Sequence, residues 1–376
     1  MKPPPSNGPW KSLPLIDVAT LQRGFDLPVQ SREPGEVPIF AANGPVGFHS
    51  THKVCGPGVV TGRSGSIGKV HYVAQDYWPL NTSLFVKDFH GNDPRFVFYL
   101  LTHLGLQNYC QGTGVPTLNR NNVHQVPVPV PPLSEQKRIA EILDRAEALR
   151  SQRRAALALL DELTQSIFLD MFGDPVSNPK GFQWGTMGDL FSIKHGFAFK
   201  SEYFCDSADH ILLTPGNFYE TGGYRDRGEK TKFYSGPIPD GYVLQQEDML
   251  VAMTEQAPGL LGSPLFVAES GVYLHNQRLG LVNLKANADR NFVFELLNTK
   301  AVRLAIQSSS TGTKVKHTSP SKITAVRVPI PPVNLQQRFA LIVNELEDLK
   351  NIQRSGLTKH DMLFSSLQHR AFRGQL

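Results

Sequence analysis

Arginine, lysine, asparagine and glutamine beside tight glycine turns are the residue types that contact nucleic-acid phosphates and base edges. The sequence holds several such clusters. Arg63 and Lys69 flank a turn at Gly65 and Gly68, and Asn119, Arg120, Asn121 and Asn122 follow the run G-T-G-V-P. Lys314, Lys316 and His317 stand at the matching place later in the chain, with Lys322 nearby. Lys194, His195 and Lys200 surround Gly196-Phe197, and Arg278 neighbours Asn276 and Gln277. Arg225, Arg227, Lys230 and Lys232 interleave with Tyr224, Phe233 and Tyr234, but Asp226 and Glu229 balance that patch. A solvated surface position explains each of these residues at least equally well, and the sequence does not sort base contacts from phosphate contacts.

Enzymatic chemistry is hard to find. The nearest approach to the [DN]-P-P-[YFW] motif of adenine methylation is Asp93-Pro94-Arg95-Phe96, which fails at its third position. No G-x-x-x-x-G-K-[ST] phosphate loop occurs. Glu135-x-Lys137 has no acidic partner nearby to hold a metal, and Glu135 reads as a first-turn residue favoured by the helix dipole. Cys55, Cys110 and Cys205 lie far apart without a C-x-x-C pair, and the 12 histidines show no H-x-x-x-H, so neither a structural zinc nor any other metal is expected. Scattered thiols fit a reducing cytoplasm. The first 11 residues are Pro-rich, lack an apolar run, and read as a loose tail rather than a secretory leader.

The chain has 376 residues, 40% apolar and 19% charged, which excludes disorder and fibrous classes and suits more than one domain. The net charge of +5 permits nucleic-acid binding without requiring it.

An internal repeat organises the whole. VHQVPVPVPPLSEQKR at 123–138 lines up with ITAVRVPIPPVNLQQR at 323–338, an offset of 200 that continues through Phe172 and Phe372. Upstream the offset shrinks. FVFYLL at 96–101 matches FVFELL at 292–297 at 196, Asn81 matches Asn276 at 195, and Gly65 and Gly68 match Gly259 and Gly262 at 194. Gly24-Phe25 matches Gly196-Phe197 at 172, so the second copy is longer, mostly between 197 and 259. Each copy opens with short strands and turns plus one short helix over the FVF motif. Each then passes through an extended Val-Pro run into a long helix expected to start at Ser134 or Asn334. Asn334-x-x-Gln337 also fits a capping box.

Spacings of three and four place Ile139, Ile142, Ala146, Leu149, Arg153, Ala156, Leu160, Leu163 and Ile167 on one seam of the first long helix. The second gives Phe339, Ile342, Leu346, Leu349, Gln353, Gly356, His360, Leu363 and Leu367. This alternation predicts two helices packed on each other, and connectivity makes them antiparallel. Centring the pair sets Arg153 against Gln353 and His360 near Ala146. The seam is about 42 Å long, compatible with half-sites one DNA turn, about 34–36 Å, apart.

At this point the chain resembles a specificity (S) subunit of a type I restriction-modification system. V-P-x-P-P-L-x-E-Q at 128–136 and its copy at 328–336 carry the likeness, with G-T-x-x-P-T-L-N at 112–119, R-S-G-S-I-G-K-V at 63–70 and F-R-G-Q-L at 372–376. The resemblance implies an α+β protein. Two globular mixed α/β target recognition domains, at 12–132 and 175–332, would be separated by two long antiparallel, coiled-coil-like helices, at 133–174 and 333–376, in a pseudo-two-fold repeat. It implies a non-catalytic, cytoplasmic subunit that reads a bipartite site on double-stranded DNA. The subunit would dock two methyltransferase (M) subunits and restriction (R) subunits, with S-adenosylmethionine, ATP and Mg on those partners and no cofactor on this chain. A departure is that Ala257 aligns with Arg63, so the two heads should read different sequences. A specificity subunit serving a fused nuclease-methyltransferase, and a two-headed protein-binding scaffold, are the alternatives.

Overall fold

A computed structural model describes residues 10–111, 117–255, 259–312 and 315–376. Two compact units emerge, one built from residues up to Ala155 together with Gln353–Leu376, the other from Ala156–Ile352. Both long helices are continuous, Leu133–Phe172 and Val333–Ala371, and each gives one half to each unit. Each helix, Leu133–Phe172 and Val333–Ala371, thus serves both units along its length. Their apolar faces complete the cores of the heads.

The units share one topology. In the first, strands Thr20–Arg23, Ser83–Asp88, Gly58–Gly62 and Val70–Val73 form an antiparallel sheet in that order. In the second, Phe191–His195, Leu279–Leu284, Met249–Ala252 and Pro264–Phe266 do the same. A smaller sheet in each carries one parallel pair, Ile39 beside Trp78 and Ile211 beside Tyr273. A strap closes each unit. Lys11–Pro14 pairs with Pro127–Val130, and Gln183–Thr186 with Arg327–Ile330. Lys11 thus belongs to a strand rather than to a loose tail; residues 1–9 lie outside the described part. The extra length of the second copy includes a strand at Phe204–Cys205, and a helix at Lys300–Ser308 stands in the stretch where the first copy has a short turn at Leu106–Tyr109.

The FVF motifs form helices Pro94–His103 and Arg290–Asn298, capped by the carboxylates of Asp93 and Asp289. Each lays its apolar face against the long helices. In the first unit Phe96, Tyr99 and Leu100 share a core with Ile139, Leu143 and Ala146 and with Phe364 and Phe372. In the second unit Phe292 and Leu296 share one with Phe168, Phe172, Phe339 and Val343. The start of one long helix meets the end of the other in each unit, so the pair is antiparallel.

Each long helix begins one residue before the expected caps. Leu133 and Val333 start them, and the carbonyls of Pro132 and Pro332 accept the first N–H groups. Gln136 and Gln336, both buried, explain why the P-P-L-x-E-Q and P-P-V-x-L-Q runs recur. Gln136 accepts from the Asp93 N–H and donates to the Pro131 carbonyl and Asn92 Oδ1. Gln336 accepts from the Asp289 N–H and donates to the carbonyls of Pro331 and Asn287. One amide thereby locks the start of each long helix to the start of the head's own helix. Glu135 forms a forked pair with Arg138, which holds its carboxyl below the usual range.

The expected seam is half right in phase. Ile139, Phe339 and Leu346 are buried, while Arg153, Leu160 and Gln353 are half-buried, and Arg153 donates to Gln353. The alternate positions slip by one. Ile142 and Ile342 are half-buried beside the buried Leu143 and Val343. Leu149, Leu163, Leu349 and Leu363 are 44%, 43%, 48% and 46% exposed, and Arg150, Thr164, Lys350 and Phe364 turn inward instead. A helix that must face both its partner helix and its own head buries a stripe wider than a coiled-coil seam, which brings the next residue round.

Those inward positions build matching polar layers. Arg150 pairs with Glu147 and, at 2.6 Å, with Asp361 in the first unit, its guanidinium lying 4.4 Å from the Phe364 ring centre. Lys350 pairs at 2.9 Å with both Glu347 and Asp161 in the second. Every member of one layer is the other's counterpart at an offset of 200. Among the described residues no helix is long and apolar enough to cross a membrane.

Candidate nucleic-acid interface

Three backbone segments meet at an equivalent junction in each unit. In the first, the Arg63 N–H donates to the Thr82 carbonyl, and the Leu118 N–H donates to the Arg63 carbonyl. In the second, the Met253 N–H donates to the Arg278 carbonyl, and the Thr318 N–H to the Met253 carbonyl. Arg63 is therefore matched by Met253, and Thr82 by Arg278. The expectation that Ala257 replaces Arg63 fails on this pairing; Ala257 itself lies outside the described residues. Insertion lengthens the loop after the strand in the second copy, so glycine spacing misled the alignment there.

A fourth segment joins the junction through glycine. A Cβ on Gly24 would lie 2.3 Å from the Leu80 carbonyl oxygen, and one on Gly196 would lie 2.0 Å from that of Asn276. Phe25 bridges Leu80, and Phe197 bridges Asn276. Asn276 is thus the counterpart of Leu80, and Asn81 is matched by Gln277, one residue away from the expected equivalence. Asn81 donates to Asp26, whereas Asn276 accepts from the Arg278 N–H.

The junctions gather some candidates and release others. Arg63 is half-buried and donates through Nε to the Asn81 carbonyl at 3.1 Å, which spends part of its guanidinium on holding the loop. Asn119 caps the short helix Arg120–His124, and beyond it Arg120 is exposed and Asn122 half-buried. His124 accepts from the Leu21 N–H, and burial, helped by Arg120, lowers its pKa. Lys69 is exposed at the far end of its turn. In the second unit Lys316 pairs in register with Glu255, and His317 with Thr254, while Gln277 and Arg278 are exposed alongside. Lys314 and the whole G-T-G-V-P run at 112–116 lie outside the described residues.

Two candidates, Lys194 and Lys200, have side-chain partners within their own head. Lys194 donates to the Gly241 carbonyl at 2.7 Å and sits over the Tyr242 ring. Lys200 lies 3.6 Å from Glu202. Lys322 belongs to the short helix Pro320–Thr324, where its backbone N–H, rather than its side chain, meets the Ser319 cap. Arg225, Arg227 and Lys230 line an open hollow of about 530 Å³ shared with Asp226 and Glu229, so its charge is mixed.

The sequence reading passed over Glu255. It is buried, and it accepts from the N–H groups of Leu260 and Leu261 at 2.9 and 2.8 Å. Its carboxylate thus ties the Leu260–Leu261 backbone to the end of the strand at the junction. A carboxylate three residues after an apolar strand and shortly before glycines was the available signal.

Two pseudo-equivalent α+β heads, each finished by two long antiparallel helices and each presenting a polar junction of several loops, define a repeated recognition-module architecture. The chain belongs to the family described as the type I restriction modification DNA specificity domain, whose pattern matches it twice, over residues 7–159 and 179–358. It is 22% identical over 285 residues to the MjaVIII type I restriction enzyme specificity subunit of Methanocaldococcus jannaschii; the match takes in 70% of this chain and 65% of that relative's length. Its fold is similar to the crystal structure of the type I restriction-modification system S subunit from M. genitalium (TM-score 0.58, 14% identity, 99% of both chains). It is also similar to a chain from a structural study of complex assembly and conformational transition in the type I R-M system (TM-score 0.52, 17% identity, 100% of both chains).

Proposed function

We propose that this chain is the DNA-reading subunit of a type I restriction-modification assembly, each head reading one half of a bipartite duplex site. The observation that carries the reading is the twin junction. The same three-way backbone pairing is built twice, yet it presents different side chains: Arg63, Asn119 and Arg120 in one head, and Gln277, Arg278, Lys316 and His317 in the other. A repeated frame with divergent polar tips is what two readers of different half-sites need, because phosphate contacts set position while base-edge contacts specify sequence.

The chain itself carries no catalytic role in this reading. Methylation of adenine with S-adenosylmethionine falls to M subunits, and ATP- and Mg-dependent translocation and cleavage to R subunits. The exposed leucines repeated at the 200 offset, Leu149 with Leu349 and Leu163 with Leu363, supply apolar surface for docking them.

Co-expression with the genomic M neighbour, followed by mapping of methylated adenines by single-molecule sequencing, tests the reading. A two-part motif with a fixed gap is expected. Exchanging one head should change one half of the motif only. An active M subunit that leaves no bipartite motif, or a head exchange that alters both halves, refutes it.

A further inference from the structure

We propose that the first head holds a divalent-cation site of the zinc class, made by His52, Cys55 and Asp76. No C-x-x-C or H-x-x-x-H announces it. The third ligand comes from another loop and is placed by strand pairing. Val54 and Tyr77 form an antiparallel bridge, exchanging N–H···O bonds of 3.1 and 2.9 Å. Tyr77 is fully buried and Val54 packs beside it in the core. Side chains alternate faces along paired strands, so the next residues out, Cys55 and Asp76, face each other on the solvent side. His52, three residues before Cys55, completes the group.

The loop frame is tight. The Gly56 N–H donates to Asp76 Oδ1 at 2.9 Å, and a Cβ on Gly56 would lie 2.5 Å from the Gln75 backbone. Only a glycine lets the two loops approach this closely. Asp76 Oδ1 is committed to that bond, and Oδ2 is turned to the imidazole, 3.5 Å from His52 Nδ1. Cys55 Sγ lies 3.8 Å from His52 Nε2. One ligand atom from each residue falls within 4.8 Å of the others, and this is the one such group among the described residues. Tetrahedral zinc with a sulfur, a nitrogen and an oxygen ligand needs ligand separations of about 3.4–3.6 Å. The side chains of His52 and Asp76 are 46% and 47% exposed, so rotation about their own bonds can close the gap without moving the backbone.

The donor set selects the metal. A thiolate with an imidazole favours zinc-class ions over magnesium or calcium, which take oxygen ligands. Binding releases the Cys55 thiol proton to solvent and leaves a coordination position for water or an outside ligand. The cation would clamp the two loops together on the surface of the first head. Among the described residues the second head has no equivalent group.

The test uses the full chain, stripped of metal, kept reduced with a phosphine and titrated with Co2+. The expected result is a tetrahedral visible band with a near-ultraviolet thiolate charge-transfer band, saturating at about one ion per chain and bleached by Zn2+. Cys55→Ser should abolish the charge-transfer band, while Cys110→Ser and Cys205→Ser leave it. His52→Ala and Asp76→Asn should weaken binding roughly tenfold or more; the asparagine still accepts the Gly56 N–H, and circular dichroism of the metal-free variants checks their fold. Absence of a thiolate band, its survival in Cys55→Ser, or indifference to both His52→Ala and Asp76→Asn would leave an ordinary surface ion pair and overturn the proposal.

Discussion

Glu295 is the natural place to perturb the second unit. It lies on the helix Arg290–Asn298, where the first unit has Tyr99. Burial raises its pKa from 4.5 to about 7; Lys350 opposes that rise, and Glu347 and Asp161 add to it. The folded protein therefore keeps a proton that the unfolded chain gives up. Stability is full below the unfolded value and falls as pH rises through the folded one. Once both states are ionised a rise of that size is worth about 3 kcal/mol, discounted to about 2 kcal/mol for a side chain still partly in contact with water. Glu295→Gln removes the titration and nearly keeps the shape. The variant is expected to exceed the parent in stability by about 2 kcal/mol near pH 8, with the gap closing toward pH 4–5. Urea unfolding of the full chain across that range, followed by far-ultraviolet circular dichroism, measures it. A variant no more stable than the parent at pH 8 would show that the Lys350 attraction outweighs burial, and the argument would fail.

The other predictions concern the frame. Gln136→Leu and Gln336→Leu each leave a buried N–H and two acceptors without their amide, and each should cost about 2–4 kcal/mol, read as a lowered thermal midpoint. A smaller loss than for an exposed substitution such as Gln152→Leu would remove the amide lock from the account. Gly24→Ala and Gly196→Ala press a Cβ against backbone and should each destabilise by about 1–3 kcal/mol. Unchanged hydrogen exchange at Leu80–Ser83 and Asn276–Leu279 in these variants would count against the close approach.

Much of this protein is written linearly. The duplication, the long helices, the FVF helices and the Val-Pro straps depend on local propensity and on residues repeated at fixed offsets, so they were legible. The antiparallel contact of Arg153 with Gln353 followed from connectivity alone. The phase of the long helices was less legible, because a spacing of three or four leaves two neighbouring residues competing for one inward position. Leu149 lost to Arg150 since the arginine stem can pack over Phe364 while its charge meets Asp361, a choice that depends on a residue more than two hundred positions away.

The loop equivalences depended on pairing too. Glycine spacing put Ala257 opposite Arg63, while backbone hydrogen bonds put Met253 there, because inserted residues shift a loop without shifting the strands it joins. Two copies, the elements of each and the residue types available at their turns can all be read from the linear order of residues. Tertiary structure decided which of those residues share a place: Arg63 beside Asn81, Lys350 between Asp161 and Glu347, and Asp76 against Cys55. Such meetings are set by strand register and helix rotation, and both are fixed by burying apolar surface contributed from distant parts of the chain.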